Sequence, residues 1–413
     1  MKDSTTDGKR VQYQIQQFAR RVTKGLSKPR KKFVSQMLFG MQAARDVKLS
    51  NVARSLKEDI RLIKTEDRLS KHLMSKDMTE GMNEALLKEG GRQVGEDTVL
   101  ALDLSDINKP YAKKMDHLAQ VWDGSAGEVR NGYWLCEVIA ADVDDEKVVP
   151  LYSESYSQKA KDFVSENEQV IKAMKKVNEL TRGRGIWTMD RGLERPILVD
   201  ECEALGQRYV IRIKDNRDAI DRKGRKRKIT QILGRIRYTE KYKVKIDKEG
   251  YKEEIEIWLG KRDRLWIAGH EVTLVVVKGF GKEPMLLITN VKKGPIEILE
   301  IYLTRWKCEE SFRFIKQEYH LEDVRVRRYK SIRNTVVLVH AIFYFVSVYL
   351  GHRLRMSILL DKILTKAKRF FEIPAFKHYA VADGIAHLLF NLRWNDKGKK
   401  ETESQGQYLL GFT

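Results

Sequence analysis

Residues 302–316 read YLTRWKCEESFRFIK. On an α-helix, which turns about 100° per residue, Tyr302, Arg305, Glu309 and Lys316 fall within roughly 60° of one another. Glu310 lies about 80° from Tyr302, off that stripe. Cys308, Phe312 and Ile315 form an apolar stripe next to it. The pattern predicts a helix with one side facing a core and, beside it, a polar stripe carrying one carboxylate and two cations. Arg305 and Glu309 are also spaced for an i,i+4 pair, so a surface helix with one salt bridge is the plain alternative.

Two further acids give that stripe a chemistry. Asp103 sits inside the apolar run LALDLS, where a charge is costly unless it is paired or meets a cation. Asp190 ends the run IWTMD and precedes Arg191 and Gly192, where it either lines a site or bonds its own turn. Asp106 is a rival to Asp103, but it falls where that strand should be ending. Three carboxylates in one pocket repel unless cations neutralise them. An oxygen-only set selects hard cations, magnesium or manganese. Two such ions about 3.5–4 Å apart activate a water or a 3′ hydroxyl and stabilise the leaving oxygen of a phosphodiester displacement. No other site competes: the eight histidines form no HExxH, and there is no Walker loop and no G-x-S-x-G.

The elements that must position these residues follow from periodicity. Residues 1–95 read as helical. In LSNVARSLKED, Ser50 is placed to cap a helix, and Thr65 to begin a second in which Leu69 and Leu73 stand four apart. Two short helices with basic faces fit a helix-turn-helix, or equally a plain helical bundle. From Gly95 the period changes. Residues 98–106, 132–142 and 147–155 read as strands, 158–180 as a helix with Phe163, Val170, Met174 and Val177 on its period, and 185–192 and 208–216 as strands with a short helix between. That order predicts an α/β (α+β) fold, a mixed sheet with flanking helices. Residues 221–295 carry only strand-like runs separated by turn signals, an all-β insertion. The chain then reads as helical to 395, with a polar tail over 396–413. The expected domains are 1–95, 96–220, 221–295, 296–395 and the tail.

Composition bounds the class. The chain has 413 residues, 42% apolar and 33% charged, enough for two or three domains with a full core. A net charge of +21 suits a polyanionic partner, nucleic acid or an anionic membrane surface, or reflects surplus surface lysine. Cys136, Cys202 and Cys308 make neither a zinc spacing nor a disulfide framework, which fits a reducing cytoplasm. The N-terminus has no signal-peptide core. The run 336–351 has 16 residues and contains His340, against about 20 needed to span a bilayer, so it reads as a buried core helix and no membrane is expected.

Tyr302-x2-Arg305-x3-Glu309-x6-Lys316 resembles the Y-R-E-K signature of bacterial insertion-sequence transposases of the insertion-sequence-4 group. LALDLSDI is similar to that family's first-aspartate segment and IWTMDRG to its second, and the resemblance spans roughly residues 45–350. A hydroxyl residue often follows the family's first aspartate; here Leu104 stands there, with Ser105 one later. The resemblance implies a DDE transposase with a ribonuclease H-like core. Such an enzyme cuts DNA at transposon ends, joins the 3′ ends to target DNA with two divalent ions (Mg2+ or Mn2+), and works as a homodimer in a synaptic complex. Asp103, Asp190 and Glu309 would then hold the metals and be catalytic, and Tyr302, Arg305 and Lys316 would hold backbone phosphates. The protein would be cytoplasmic and nucleoid-associated.

Further DNA contacts are expected at Arg212 and Lys214, which share one face of the strand YVIRIK, and at Arg325, Arg327, Arg328 and Lys330; the alternatives are a solvated strand face and a solvated loop. Trp258 and Trp266 are candidates to stack a flipped base, or pack the insertion's own strands. A metal-dependent nuclease without strand transfer, and a non-catalytic DNA-binding protein derived from a transposase, are the alternative readings.

Overall fold

The computed structural model describes residues 2–124, 126–248, 251–366 and 376–395; the tail expected over 396–413 lies outside them. The chain forms two compact units, Met1–Leu86 with Ile107–Tyr133 and Phe312–Thr413, and Leu87–Asp106 with Trp134–Ser311.

Helix α1 (Lys2–Val22) buries Val11, Ile15, Phe18 and Val22, one helical face. Helix α2 (Lys28–Ala44) has proline in its first turn and stops where Arg45 turns left-handed, φ 50°. Gly40 lets α3 (Leu49–Leu56) approach: a Cβ there would stand 2.7 Å from Val52 Cγ1. Ser50 does not cap α3 as expected; the cap position is Lys48. Asp46 does the work instead, accepting from the Lys48 amide and from Asn51. Helix α4 (Leu62–Ser75) buries Leu69 and Leu73, but begins three residues before Thr65, whose hydroxyl donates to Glu58 rather than starting the helix. Arg68 and Gln36 also bond Glu58, so the turn between α3 and α4 is locked from inside. Helix α5 (Thr79–Gly90) follows.

The sheet begins with β1 (Val99–Asn108), β2 (Ala119–Asp123), β3 (Glu128–Ala141) and β4 (Val148–Tyr156). Asp106 therefore lies inside β1 and not at its end. Helix α6 (Glu166–Thr181) starts only where Ser165 accepts from the Glu168 amide. That leaves Phe163 outside the helix, stacked on Tyr156 at 5.9 Å, although Val170, Met174 and Val177 are buried as expected. Then come β5 (Ile186–Met189), α7 (Pro196–Ala204) and β6 (Arg208–Ile213).

Within the second unit the order runs β4-β3-β1-β5-β6, with β3 and β4 antiparallel and β1, β5 and β6 parallel. This is the order of a ribonuclease H-like core: a hairpin-fed half and a crossover-fed half meeting at β1.

The insertion holds β7 (Asp218–Ile220), β8 (Lys226–Lys228), β9 (Tyr238–Lys248), β10 (Tyr251–Ile267), β11 (His270–Lys278) and β12 (Met285–Thr289). It is not purely β, since α8 (Ile229–Leu233) interrupts it. It also extends the core sheet: β12 pairs antiparallel with β6, β11 with β12, and β10 with β11. Helix α9 (Pro295–Thr304) lies across β5, β6 and β10, burying Ile298, Leu299 and Ile301 against Val99, Ile186, Val210 and Val275.

Helices α10 (Trp306–Glu318), α11 (Tyr329–Tyr344), α12 (His352–Lys366) and α13 (His378–Leu389) complete the chain, which passes from one unit to the other within α10. The stretch Tyr329–Tyr349 is long and apolar enough to cross a membrane, but 89% of its apolar window is buried in the protein, as a core helix would be.

Two predictions follow from this packing. Trp187 on β5 is fully buried, with its indole N–H donating to Gln207 Oε1 at 3.2 Å. Trp187→Ala should cost about 3–5 kcal/mol in urea unfolding. His378 packs edge-on against Phe376 (4.6 Å) and Phe343 (5.8 Å), and burial, reinforced by Arg355, pushes its pKa down to about 3. A folded pKa below the unfolded value of about 6.5 means the native state binds fewer protons. Its stability contribution is whole above pH 6.5 and is lost as pH falls toward 3, by up to about 1.4 kcal/mol per unit. His378→Phe should therefore show a smaller melting-temperature drop between pH 7.5 and 5 than wild type.

Candidate active site

Strand register builds the floor of the site. In the parallel pair β1/β5, Val99 faces Ile186 and Ala101 faces Thr188; the same register carried two residues on sets Asp103 beside Asp190. In β5/β6, Met189 faces Ile211, so Asp190 falls beside Arg212. Side chains alternate along a strand, so Asp103, Asp190 and Arg212 share the face of Val99, Ile186 and Val210, the face α9 covers.

The expected single helix through 302–316 is two helices. Arg305 stands between α9 and α10, its amide bonded to the Tyr302 carbonyl at 3.1 Å and its own carbonyl to the Cys308 amide at 2.8 Å. Bonds of this tighter, three-residue kind join the two helices through Arg305, whose backbone stays in the helical region, φ −55° and ψ −29°. The guanidinium is only 5% exposed and bridges two acids: Nη1 donates to Asp103 Oδ2 at 2.6 Å and Nη2 to Glu309 Oε1 at 2.6 Å. The Leu104 amide donates to Asp103 Oδ1 at 2.9 Å. Burial raises the Asp103 pKa to about 7; Arg305 pulls it down, while Asp190 and Glu309 push it further up. Burial also disfavours the Arg305 cation, but Asp103, Tyr302 and Glu309 more than offset this and hold its pKa above the ordinary value.

The remaining predicted residues take varied places. Tyr302 is buried under Arg305, ring to guanidinium 5.7 Å; burial raises its phenol pKa, and Arg305 and Arg212 lower it by charge and hydrogen bonding. Asp190 Oδ1 accepts from the Gly192 amide at 2.8 Å and the Leu193 amide at 3.2 Å, so it holds its turn as well as standing in the row. Gly192 keeps room for it, because a Cβ there would sit 3.1 Å from that oxygen. Lys214 lies just past β6, exposed, its amide donating to Glu194. Trp258 and Trp266 both lie on β10 between buried neighbours (Ile257 and Leu259; Leu265 and Ile267), so they face outward. Trp258 is 40% exposed, with the Lys241 ammonium 3.9 Å over its ring. Lys316 belongs to the helical unit, where it pairs with Glu322 at 3.2 Å. Glu310 is a further 100° or so around α10 from Glu309.

Residues 156–346 match the family model described as the transposase DDE domain. The match covers just under half of the chain. The match takes in Asp190, Tyr302, Arg305 and Glu309, and begins after Asp103. No curated protein sequence matches the chain. Among solved structures, a piggyBac transposase synaptic complex with hairpin DNA is similar at 9% identity and a TM-score of 0.45, covering 96% of this chain and 80% of that one.

Asp103, Asp190 and Glu309 suit a hard cation by donor chemistry. Three carboxylates are electrostatically coupled here, and a cation, the Arg305 guanidinium, already lies between two of them. Among the described residues, no group of three or more acid, histidine or cysteine side chains stands close enough to grip one ion as placed.

Three features escape the sequence pattern. Lys307 pins the start of α10 by donating to the Asp142 and Asp145 carbonyls, both at 2.6 Å, and so positions Glu309 two residues on. Trp306 is 53% exposed with its ring 5.6 Å from the Arg305 guanidinium. Glu137 is fully buried on β3, near enough to act with Asp103 and Glu309 on the Cys308 thiol, whose pKa burial drives well up. An acid inside WLCEVIA was the available signal for Glu137, since charges seldom sit in apolar strands.

Removing the bridge should be costly. Arg305→Met leaves Asp103 buried beside two acids, and is expected to lower unfolding free energy by about 3–5 kcal/mol. Adding Asp103→Asn should return most of that loss. Urea unfolding of the single and double variants checks the coupling, and simple additivity would contradict it.

Proposed function

We infer that the protein is an insertion-sequence transposase of the insertion-sequence-4 group, cutting DNA at element ends and joining the 3′ hydroxyls to target DNA. The observation that carries this reading is the row Asp103–Asp190–Arg212 closed over by Arg305 and Glu309, in a chain whose residues 156–346 match the transposase DDE domain model.

Asp103, Asp190 and Glu309 would hold two magnesium or manganese ions. Such ions, when bound, lower the pKa of the attacking water or hydroxyl and stabilise the leaving oxygen of the phosphodiester. Arg305 holds Asp103 and Glu309 together and offsets their charge; its planar set of donors fits a phosphate as well as a carboxylate. Arg212, beside Asp190 and Tyr302, adds positive charge where a phosphate would lie. Buried Tyr302 sets the angle of Arg305, and Lys307 fixes the first turn of α10. Lys214, Lys316, Trp258 and Trp266 are proposed as DNA contacts, residues 1–95 as the DNA-binding domain and 221–295 as the insertion. The homodimer and the cytoplasmic, nucleoid-associated location rest on the resemblance of the Y-R-E-K stripe.

A nuclease of the same fold would cut without joining, so one assay separates the two. A transposon-end duplex is incubated with wild type, Glu309→Gln and Glu310→Gln in magnesium and in manganese. Glu309→Gln should lower cutting and joining on the order of 10²–10³-fold, the scale of losing a group that stabilises transition-state charge, while DNA binding persists. Glu310→Gln should retain both steps. Cutting without joining by wild type would favour the nuclease, and full activity of Glu309→Gln would overturn the site.

A further inference from the structure

The helical unit contains a cleft of about 780 Å3 walled by the loop after β1 and by residues 322–327. The loop is held rigid. The Lys109 amide donates to the Asn131 carbonyl at 2.7 Å, its ammonium to the Val324 carbonyl at 2.7 Å and to the Glu322 carbonyl, and the Ala112 amide to the Lys109 carbonyl at 3.0 Å. Between these anchors the loop presents Tyr111, 93% exposed. A large aromatic ring fixed in water on a pinned loop has no part in the core.

The charges of the cleft are uneven in a telling way. Each of its acids is already engaged within the protein: Asp123 by Arg130 at 3.1 Å, Glu322 by Lys316 at 3.2 Å and the Asn108 amide at 3.1 Å, Asp323 by Lys48. Lys113, Lys114, Arg325 and Arg327 are exposed and make no ion pair among the described residues. Four uncompensated cations around one exposed ring suit a strand with a charged backbone and flat bases. The aromatic ring decides between nucleic-acid forms. Bases of an intact duplex are stacked on each other, whereas an unpaired base has a free face to offer Tyr111.

We propose that this cleft binds an unpaired stretch of DNA, with Lys113, Lys114, Arg325 and Arg327 on its phosphates and Tyr111 stacked on a base. The site uses none of the carboxylate-site residues, so Asp103→Asn leaves it intact. A failed cleavage assay and a failed strand-binding assay are therefore separate results.

The test uses the full chain and a fluorescein-labelled dodecamer of thymidylate, followed by anisotropy from 50 to 300 mM salt, beside a 12-base-pair duplex. Tyr111→Ala should weaken single-strand binding by about 5- to 100-fold, the range of losing one stacked base, and spare the duplex. Tyr111→Trp should restore it, and thermal melts of all variants should match wild type because the ring is exposed. Lys113→Gln with Lys114→Gln, and Arg325→Gln with Arg327→Gln, should each reduce the slope of log K against log salt by about 1.4, at about 0.7 per phosphate. A 5-iododeoxyuridine dodecamer should crosslink within residues 108–115. Unchanged dodecamer binding by Tyr111→Ala, equal weakening of strand and duplex, an unchanged slope, or crosslinks that map elsewhere would each overturn the proposal; equal weakening would mark a general anion-binding face.

Discussion

A guanidinium buried between two carboxylates is the interaction on which the site depends. Asp103 comes from the first strand of the sheet and Glu309 from the first turns of α10, more than 200 residues later in the chain, and Arg305 holds both. Burying an acid on a strand costs free energy, and burying a cation nearby costs more; each becomes tolerable because the other is there. Arg305 stands where α9 ends and α10 begins, and from there its two nitrogens reach separate partners.

The sheet supplies the rest by register alone. Asp103, Asp190 and Arg212 stand side by side because β1, β5 and β6 run parallel without slippage, and a one-residue shift would turn any of them to the opposite face. Buried Trp187 and Val210 hold that register from within, and α9 seals the face with Ile298, Leu299 and Tyr302. The insertion does not hang from the core as a separate lobe: pairing of β12 with β6 makes its strands a continuation of the sheet that carries the acids.

How much of this was legible beforehand differed by the physics involved. Strands such as TVLALDLSD and RYVIRIK declare themselves because β-branched and apolar residues fill a buried pleat. Asp103 stood out as a charge at odds with its surroundings, Asp190 as the acid that ends a buried strand before a turn, and Glu309 stood apart from Glu310 by helical angle. Register is a relation between distant segments, so the row of Asp103, Asp190 and Arg212 could not be read from either. Some local signals lost to other nearby residues: Asp46 displaced Ser50 at the start of α3, Glu58 took the Thr65 hydroxyl, and Ser165 capped α6 past Phe163. The helix expected through 302–316 is divided at Arg305, where three-residue bonds replace the four-residue ladder.

The central claim is that Asp103, Asp190 and Glu309 act together as one cation-binding set. Manganese binding followed by electron paramagnetic resonance tests it without DNA or turnover. Wild type and Glu310→Gln should take up the ion with similar affinity, while Asp103→Asn, Asp190→Asn and Glu309→Gln should each weaken uptake at least tenfold, the lower bound for disturbing a ligand shell. Equal manganese affinity in wild type and the three site variants would show that Asp103 and Glu309 serve only to hold Arg305 and Asp190 only its own turn, and would contradict the account.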